Sequence, residues 1–249
     1  MSGHSKWATI KHKKGAADAK RGKLFAKLAR QIEVAARAGG GDADMNPTLR
    51  TAVQKAKAAS MTNDAIDRAI KRATGEGDGG TYEDIMYEGY APGGVALLID
   101  VLTDNRNRTS ADIRNILSKL GGSMAEPGAV GWQFARRGVV LIEGAVDEDE
   151  LMMAALEAGA DDVSGSGEAW TVTCNPSDTF EVKEALEGAG YTVISADMPM
   201  VSDNLVPVDS VEDAKKLLRI LDAIEDNDDV QDVYSNFDIS DDVMEAASA

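Results

Sequence analysis

The chain has 249 residues, enough for one large domain or two to three small ones. Hydrophobic residues make up 43% and charged residues 28%, a globular balance, while only 5% aromatics leave the cores to Ala, Val, Leu and Ile. The net charge of -17 speaks against nucleic acid as a partner of the whole surface, but residues 1–75 hold 16 basic against six acidic residues, a net of +10, and the remainder carries -27. A basic cluster attracts phosphate backbones locally by releasing counterions, even when the rest of the protein is acidic.

Residues 1–15 are polar, basic and weakly patterned. From 16 to 38 the pattern turns helical, with Leu24, Phe25, Leu28, Ile32 and Ala35 on one arc. Lys20, Lys23, Lys27, Arg30 and Arg37 fall on another arc, so one face can pack while the other binds; Arg21 projects toward the apolar side. Gly39, Gly40 and Gly41 stop that helix. Asn46 and Pro47 provide an N-cap and first-turn proline for a second helix, running to about Ala59. Met61-Thr62-Asn63 breaks the pattern, and a third helix to about Ala73 turns Ile66, Ala69, Ile70 and Ala73 inward. The glycine-rich run 75–80 is a linker by composition.

After Gly80 the periods shorten. Strands are predicted at 82–90 and 95–102 around the turn Ala91-Pro92-Gly93-Gly94. Thr109 and Asp112 form a capping-box variant opening a helix to Leu120, closed by Gly121-Gly122, with a strand at 130–134 beyond. Next comes a β-α-β-β-α-β unit: strand 139–143, helix 148–158, strands 161–164 and 169–174, helix 178–188, strand 191–197. A helix at 210–224, a strand at 230–236 and a frayed acidic tail end the chain. The fold class predicted is α+β: an all-helical N-terminal domain (1–78) followed by two α/β sandwich, ferredoxin-like domains. The third (137–204) is inserted into the second (81–136 plus 205–238).

The leading constellation is the nucleic-acid set Lys6, Trp7, Lys11, His12, Lys13, Lys14, Lys20, Arg21, Lys23, Lys27 and Arg30. Lysine and arginine supply phosphate contacts, and Trp7 offers a stacking face. A secondary loop, Asn105, Arg106, Asn107 and Arg108, reads two ways: as a binding loop, or as ordinary helix capping with Asp104 neutralising an arginine. Enzyme signatures are missing. No phosphate-binding G-x-x-x-x-G-K-[ST] occurs, and the acids of the 75–80 run would repel phosphate. The two histidines, His4 and His12, and the lone Cys174 make no credible zinc site. Asp161-Asp162 and Asp228-Asp229 read as solvated faces. No catalysis, metal, cofactor or small-molecule substrate is therefore expected.

Cys174 lies in an alternating apolar run and reads as a small buried hydrophobe, consistent with a reducing compartment. No apolar stretch follows the basic N-terminus, and the longest apolar run, 95–99, falls far short of a bilayer span. A soluble cytoplasmic protein without a membrane partner is expected.

Several long motifs carry a resemblance. Gly3-His-Ser-Lys-Trp-Ala-Thr-Ile-Lys-His-Lys-Lys14, Asp18-Ala-Lys-Arg-Gly-Lys23 and Ala35-Ala-Arg-Ala-Gly-Gly-Gly-Asp42 closely resemble the start of the YebC/PmpR family. Tyr87-Glu-Gly-Tyr-Ala-Pro-Gly-Gly94 and Leu102-Thr-Asp-Asn-Arg-Asn-Arg-Thr109 continue the match. The resemblance implies three domains, the third inserted in the second. It also implies one of two roles: DNA-binding transcriptional regulation, or action on the ribosome as in related translational activators. The expectation carried forward is a nucleic-acid-binding regulator of gene expression, acting as a ribosome- and RNA-associated translation factor whose basic arm and first helix grip ribosomal RNA. The alternatives are a DNA-binding transcriptional regulator and a protein-interaction adaptor.

Overall fold

The helical region owes its shape to small residues at helical spacing and to side chains that close its helix ends. A computed structural model describes residues 18–75, 82–166 and 169–248. In it, α1 (Asp18–Gly39), α2 (Pro47–Ala58) and α3 (Asn63–Thr74) surround a core of Leu28, Ile32, Ala36, Leu49, Ala56, Ile66 and Ala69. Asn46 caps α2 by accepting from Leu49 N. Its amide also donates to the carbonyls of Ala35 and Gly40 at 2.8 and 2.9 Å, tying the start of α2 to the end of α1. Thr62 caps α3. Three residues expected inside are not fully so: Leu24 is exposed, and Phe25 and Ile70 are only half-buried. The core is already filled by the next turn of α1 and by Ala69 and Ala73 of α3.

The second region is a four-stranded antiparallel sheet. β1 (Glu83–Tyr90) and β2 (Ala96–Thr103) form a hairpin around a short turn at Pro92–Gly94, where Gly93 and Gly94 hold φ of 82° and 80°. β3 (Ser123–Met124) joins the β1 edge and β11 (Val230–Ser235) the β2 edge, giving the order β11-β2-β1-β3. Helices α4 (Arg106–Leu120) and α7 (Val211–Glu225) cover one face, burying Leu97, Ile99, Val101, Ile113, Leu117, Leu217 and Ile220. β2 reads as a nearly continuous apolar run because both of its faces are covered: Ala96 and Leu98 pack on the other side against Val130 and Phe134.

Between the two halves of that sheet lies a second one. β5 (Gly138–Glu143), α5 (Glu148–Glu157), β6 (Asp162–Ser166), β7 (Ala169–Cys174), α6 (Thr179–Gly188) and β8 (Thr192–Asp197) form an all-antiparallel sheet of order β6-β7-β5-β8. This is the split-βαβ arrangement, with β7 filling the gap that the β5-α5-β6 crossover leaves. Its core holds Val140, Ile142, Leu151, Val172, Cys174, Val182 and Leu186. The flanking strands β4 (Phe134–Arg136) and β9 (Met200–Ser202) pair with each other, so the insertion is anchored on a two-stranded stem. The molecule is thus an α+β protein with a helical N-terminal region and an inserted sheet unit.

Three local expectations are corrected. α4 begins at Arg106, not at Thr109, because Asn105 takes the cap by accepting from Arg108 N at 3.1 Å. Residues 131–133 form a single tight helical turn before β4 rather than a strand. The C-terminal stretch is not frayed: β12 (Phe237–Asp238) pairs in parallel with β10 (Val206–Pro207), and α8 (Asp241–Ser248) drives Met244, fully buried, against the α7 core. Its alternation of acids with Val243, Met244 and Ala247 is an amphipathic pattern.

Gly138 offers a test of this packing. A Cβ there would sit 2.6 Å from Cys174 Sγ and 3.0 Å from Asn175 O, and would also collide with the Thr179 hydroxyl. Gly138→Ala is expected to lower the unfolding free energy by about 1–3 kcal/mol, measured by urea denaturation of the full chain.

Candidate nucleic-acid interface

Three cations of the basic face of α1, Lys23, Lys27 and Arg30, lie against the C-terminal end of α7 and the turn that follows, while Arg37 is exposed. The last carbonyls of a helix lack intrahelical partners and carry the negative end of its dipole. Lys27 Nζ donates to Glu225 O at 2.7 Å, and Lys23 Nζ reaches Asp226 O at 3.2 Å and Oδ1 at 3.3 Å. One turn further along α1, Arg30 Nη1 donates to Leu102 O and Asp228 O, both at 3.1 Å, and to Asp229 Oδ1 at 3.0 Å. The Arg30 guanidinium also stands 5.2 Å above the Tyr82 ring.

Asp229 is the centre of this contact. Its side chain is 9% exposed, and its second oxygen accepts from Arg108 Nη2 at 2.7 Å, Thr109 Oγ1 at 2.7 Å and Thr103 Oγ1 at 3.2 Å. Burial pushes its pKa up, but the hydrogen bonds from Arg108, Thr109 and Thr103 and the Arg108 charge outweigh that, and the carboxyl stays below its ordinary value. One carboxylate thus joins α1, the β2-α4 junction and β11. The reading of Asp228-Asp229 as a solvated face is therefore wrong for Asp229. Its partners lie 120 to 199 positions away, and no local pattern marks it.

The two sets of site residues expected separately thus meet. Arg30 from the first and Arg108 from the second share Asp229. Arg108 also pairs with Asp104 at 2.9 Å, and Asn105 is an N-cap, so both have structural work. Arg106 and Asn107 are exposed. Arg21 is exposed, and Lys20 lies in the first turn of α1. Lys6, Trp7, Lys11, His12, Lys13 and Lys14 lie outside the described residues, as do 76–80 of the glycine-rich run. Arg68, Lys71 and Arg72 of α3 are exposed cations that belong to neither expected set, although they contribute to the +10 of residues 1–75.

The sheet face opposite α4 and α7 carries an acidic cluster. Asp100 of β2 is pushed up to about 6 by burial and by the neighbouring charges of Asp84 and Asp232, only partly offset by Arg136 and Lys55. Among the described residues, no His, Cys, Asp or Glu cluster could hold a metal ion, and no helix is long and apolar enough to cross a membrane.

Comparison with known proteins places these features. Residues 5–76 match the model of the TACO1/YebC protein N-terminal domain, and residues 82–237 that of the TACO1/YebC second and third domain. The chain belongs to the TACO1/YebC family. It is 57% identical to a probable transcriptional regulatory protein of Halothermothrix orenii, over 98% of each chain. A protein of the same name from Rubrobacter xylanophilus is 59% identical, again over 98% of each. The crystal structure of a conserved hypothetical protein from Aquifex aeolicus, 43% identical, matches with a TM-score of 0.77 over 90% of this chain and 93% of that one. All members of the Asp229 network fall inside the two matched regions of this TACO1/YebC chain.

Two measurements check these electrostatics. Asp229→Ala strands Arg30, Arg108, Thr103 and Thr109 without their shared acceptor. It should cost about 2–3 kcal/mol of stability, the arginines being partly solvated, and should raise amide hydrogen exchange along α1. Because the folded-state pKa of Asp229 is depressed, its contribution is present above the unfolded value near 3.9 and is lost as pH falls through the folded one. Asp100 has the opposite sign. Its raised pKa favours the protonated folded state, so its contribution is present below the unfolded value and lost as pH rises through about 6. Asp100→Asn should therefore stabilise the protein at neutral pH by on the order of 1–2 kcal/mol, with the gain vanishing below about pH 4 in thermal melts.

Proposed function

We propose that this protein is a nucleic-acid-binding regulator of gene expression that acts in the cytoplasm as a ribosome-associated factor, gripping ribosomal RNA through its helical region and basic arm. The observation that carries the proposal is the charge partition: +10 over residues 1–75 and -27 over the rest. Such a division lets one end seek phosphate while the other is repelled by it, orienting the molecule on a polyanionic surface. Lys6, Lys11, Lys13 and Lys14, interleaved with Trp7 and His12, combine phosphate contacts with a stacking face suited to RNA. The printed names of the relatives, probable transcriptional regulatory proteins, support the broader part of this reading, a role in regulating gene expression.

Those names also favour a second reading, a DNA-binding transcriptional regulator. The four-residue connection between α2 and α3, spanning 59–62, has the length found between the helices of DNA-binding pairs. The two readings separate in one experiment. Purified protein is sedimented with ribosomes at moderate salt and, in parallel, footprinted on genomic promoter fragments. Cosedimentation that weakens when Lys11, Lys13 and Lys14 are changed to Gln, with the salt dependence flattened by about one unit of slope per lysine, is the expected result. Failure to cosediment with the arm intact ends the ribosomal reading, and a specific promoter footprint replaces it with the DNA one.

A further inference from the structure

With Lys23, Lys27 and Arg30 committed to α7 and Asp229, the helical region needs other cations to hold a phosphate chain, and it has a second basic surface. α3 presents Ala65, Arg68, Lys71 and Arg72 on one side, at three- and four-residue spacing, while Ile66, Ala69 and Ala73 turn into the core. Ala29 of α1 and Met61 of the α2-α3 connection complete a groove of about 640 Å³. Its apolar lining comes from Ala29, Met61 and Ala65, and among the described residues its charged lining is cationic: Arg68, Lys71 and Arg72.

The partners of the two arginines lie within the helical region. Arg68 Nε donates to Asp64 O at 3.1 Å, which orients its guanidinium, and Arg72 Nη2 pairs with Glu33 Oε1 at 3.0 Å. Asp64 itself occupies the first turn of α3, where a carboxylate complements the helix dipole. On α1, the mean direction of Ala29 and Glu33 stands about 110° around the helix axis from that of Lys27 and Arg30. The groove and the docked face therefore occupy different sides of the same helix. Elsewhere the balance is different: the groove of about 540 Å³ along α4 sets Arg106 and Arg114 against Glu88 and Glu126 and has no net charge.

We infer that the α1-α3 groove is a binding site for the phosphodiester backbone of nucleic acid, with Arg68 and Lys71 as its principal phosphate contacts. The inference rests on the nucleic-acid reading above and assigns it a place. Arginine's planar fork suits bidentate phosphate binding, lysine adds a mobile point charge, and the two alanines of the lining leave room for a sugar-phosphate chain to lie close. Among the described residues, docking of α1 on α7 leaves Arg68, Lys71 and Arg72 exposed, so that contact need not open for them to be used.

The test uses the full-length chain and fluorescence anisotropy with a short labelled RNA and a DNA duplex of matching sequence, over a series of salt concentrations. The variants are Arg68→Gln with Lys71→Gln, and the charge-conserving pair Arg68→Lys with Lys71→Arg. The neutralised variant should bind on the order of tenfold more weakly, with a log–log salt slope shallower by about two units, while its thermal melt matches wild type. The charge-conserving variant should keep the slope. Loss on RNA or on DNA supports the groove and identifies the polymer that uses it. Wild-type slope and affinity in the neutralised variant, on both polymers, overturn the groove and leave the nucleic-acid reading standing. A wild-type protein that binds neither polymer overturns the reading and the groove with it.

Discussion

One buried carboxylate holds the two charge classes of this molecule together. Asp229 receives Arg30 on one oxygen and Arg108, Thr109 and Thr103 on the other. A buried charge is tolerated only when it is paired and its lone pairs are filled, and here four side-chain donors, two of them charged, converge to do so. The consequence is structural as well as electrostatic. The helical region has a core of its own, and the sheet region has two more packed surfaces, but what sets one against the other is a polar seam: Lys23 and Lys27 on the end of α7, Arg30 on the 228–229 turn, Gln31 on Gln231.

This seam gives the overall charge partition a second meaning. Attraction between a +10 segment and a -27 segment of one chain acts within the molecule before it acts on any partner. The cations of α1 meet their opposites at the end of a helix, where carbonyls and the carboxylates of Asp226 and Asp229 accept from them. The TACO1/YebC chain therefore divides its basic residues among separate tasks. Those on one side of α1 dock domains, and those of α3 line an open groove with an apolar floor.

The inserted unit depends on a different constraint. Its own sheet and core are complete, so it needs only a stem, and β4 pairing with β9 supplies one. Glu88 organises the approach to that stem by accepting from the backbone N–H groups of Gly128, Val130 and Gly131 at 2.6 to 2.8 Å. Burial raises the Glu88 pKa, but these backbone bonds prevail and hold it below the ordinary value.

Much of the architecture was legible in the residues. Asn46-Pro47 marks the start of α2, the Pro-Gly-Gly turn marks the β1-β2 hairpin, and the alternation of 169–174 marks β7, because capping, turn chemistry and side-chain period act over a few residues. The capping pattern places the cap of α4 four residues too late because Thr109 and Asn105 are both good caps; Thr109 is instead buried to reach Asp229. The acidic tail hid an amphipathic helix behind its net charge. The basic face of α1 could be seen, but not what it touches. Residue types, spacing and the charge partition determined which elements form and which surfaces are cationic. Only the tertiary structure decided that Lys23, Lys27 and Arg30 meet residues about 200 positions away, because a charge specifies the sign of its partner and leaves its location to the fold.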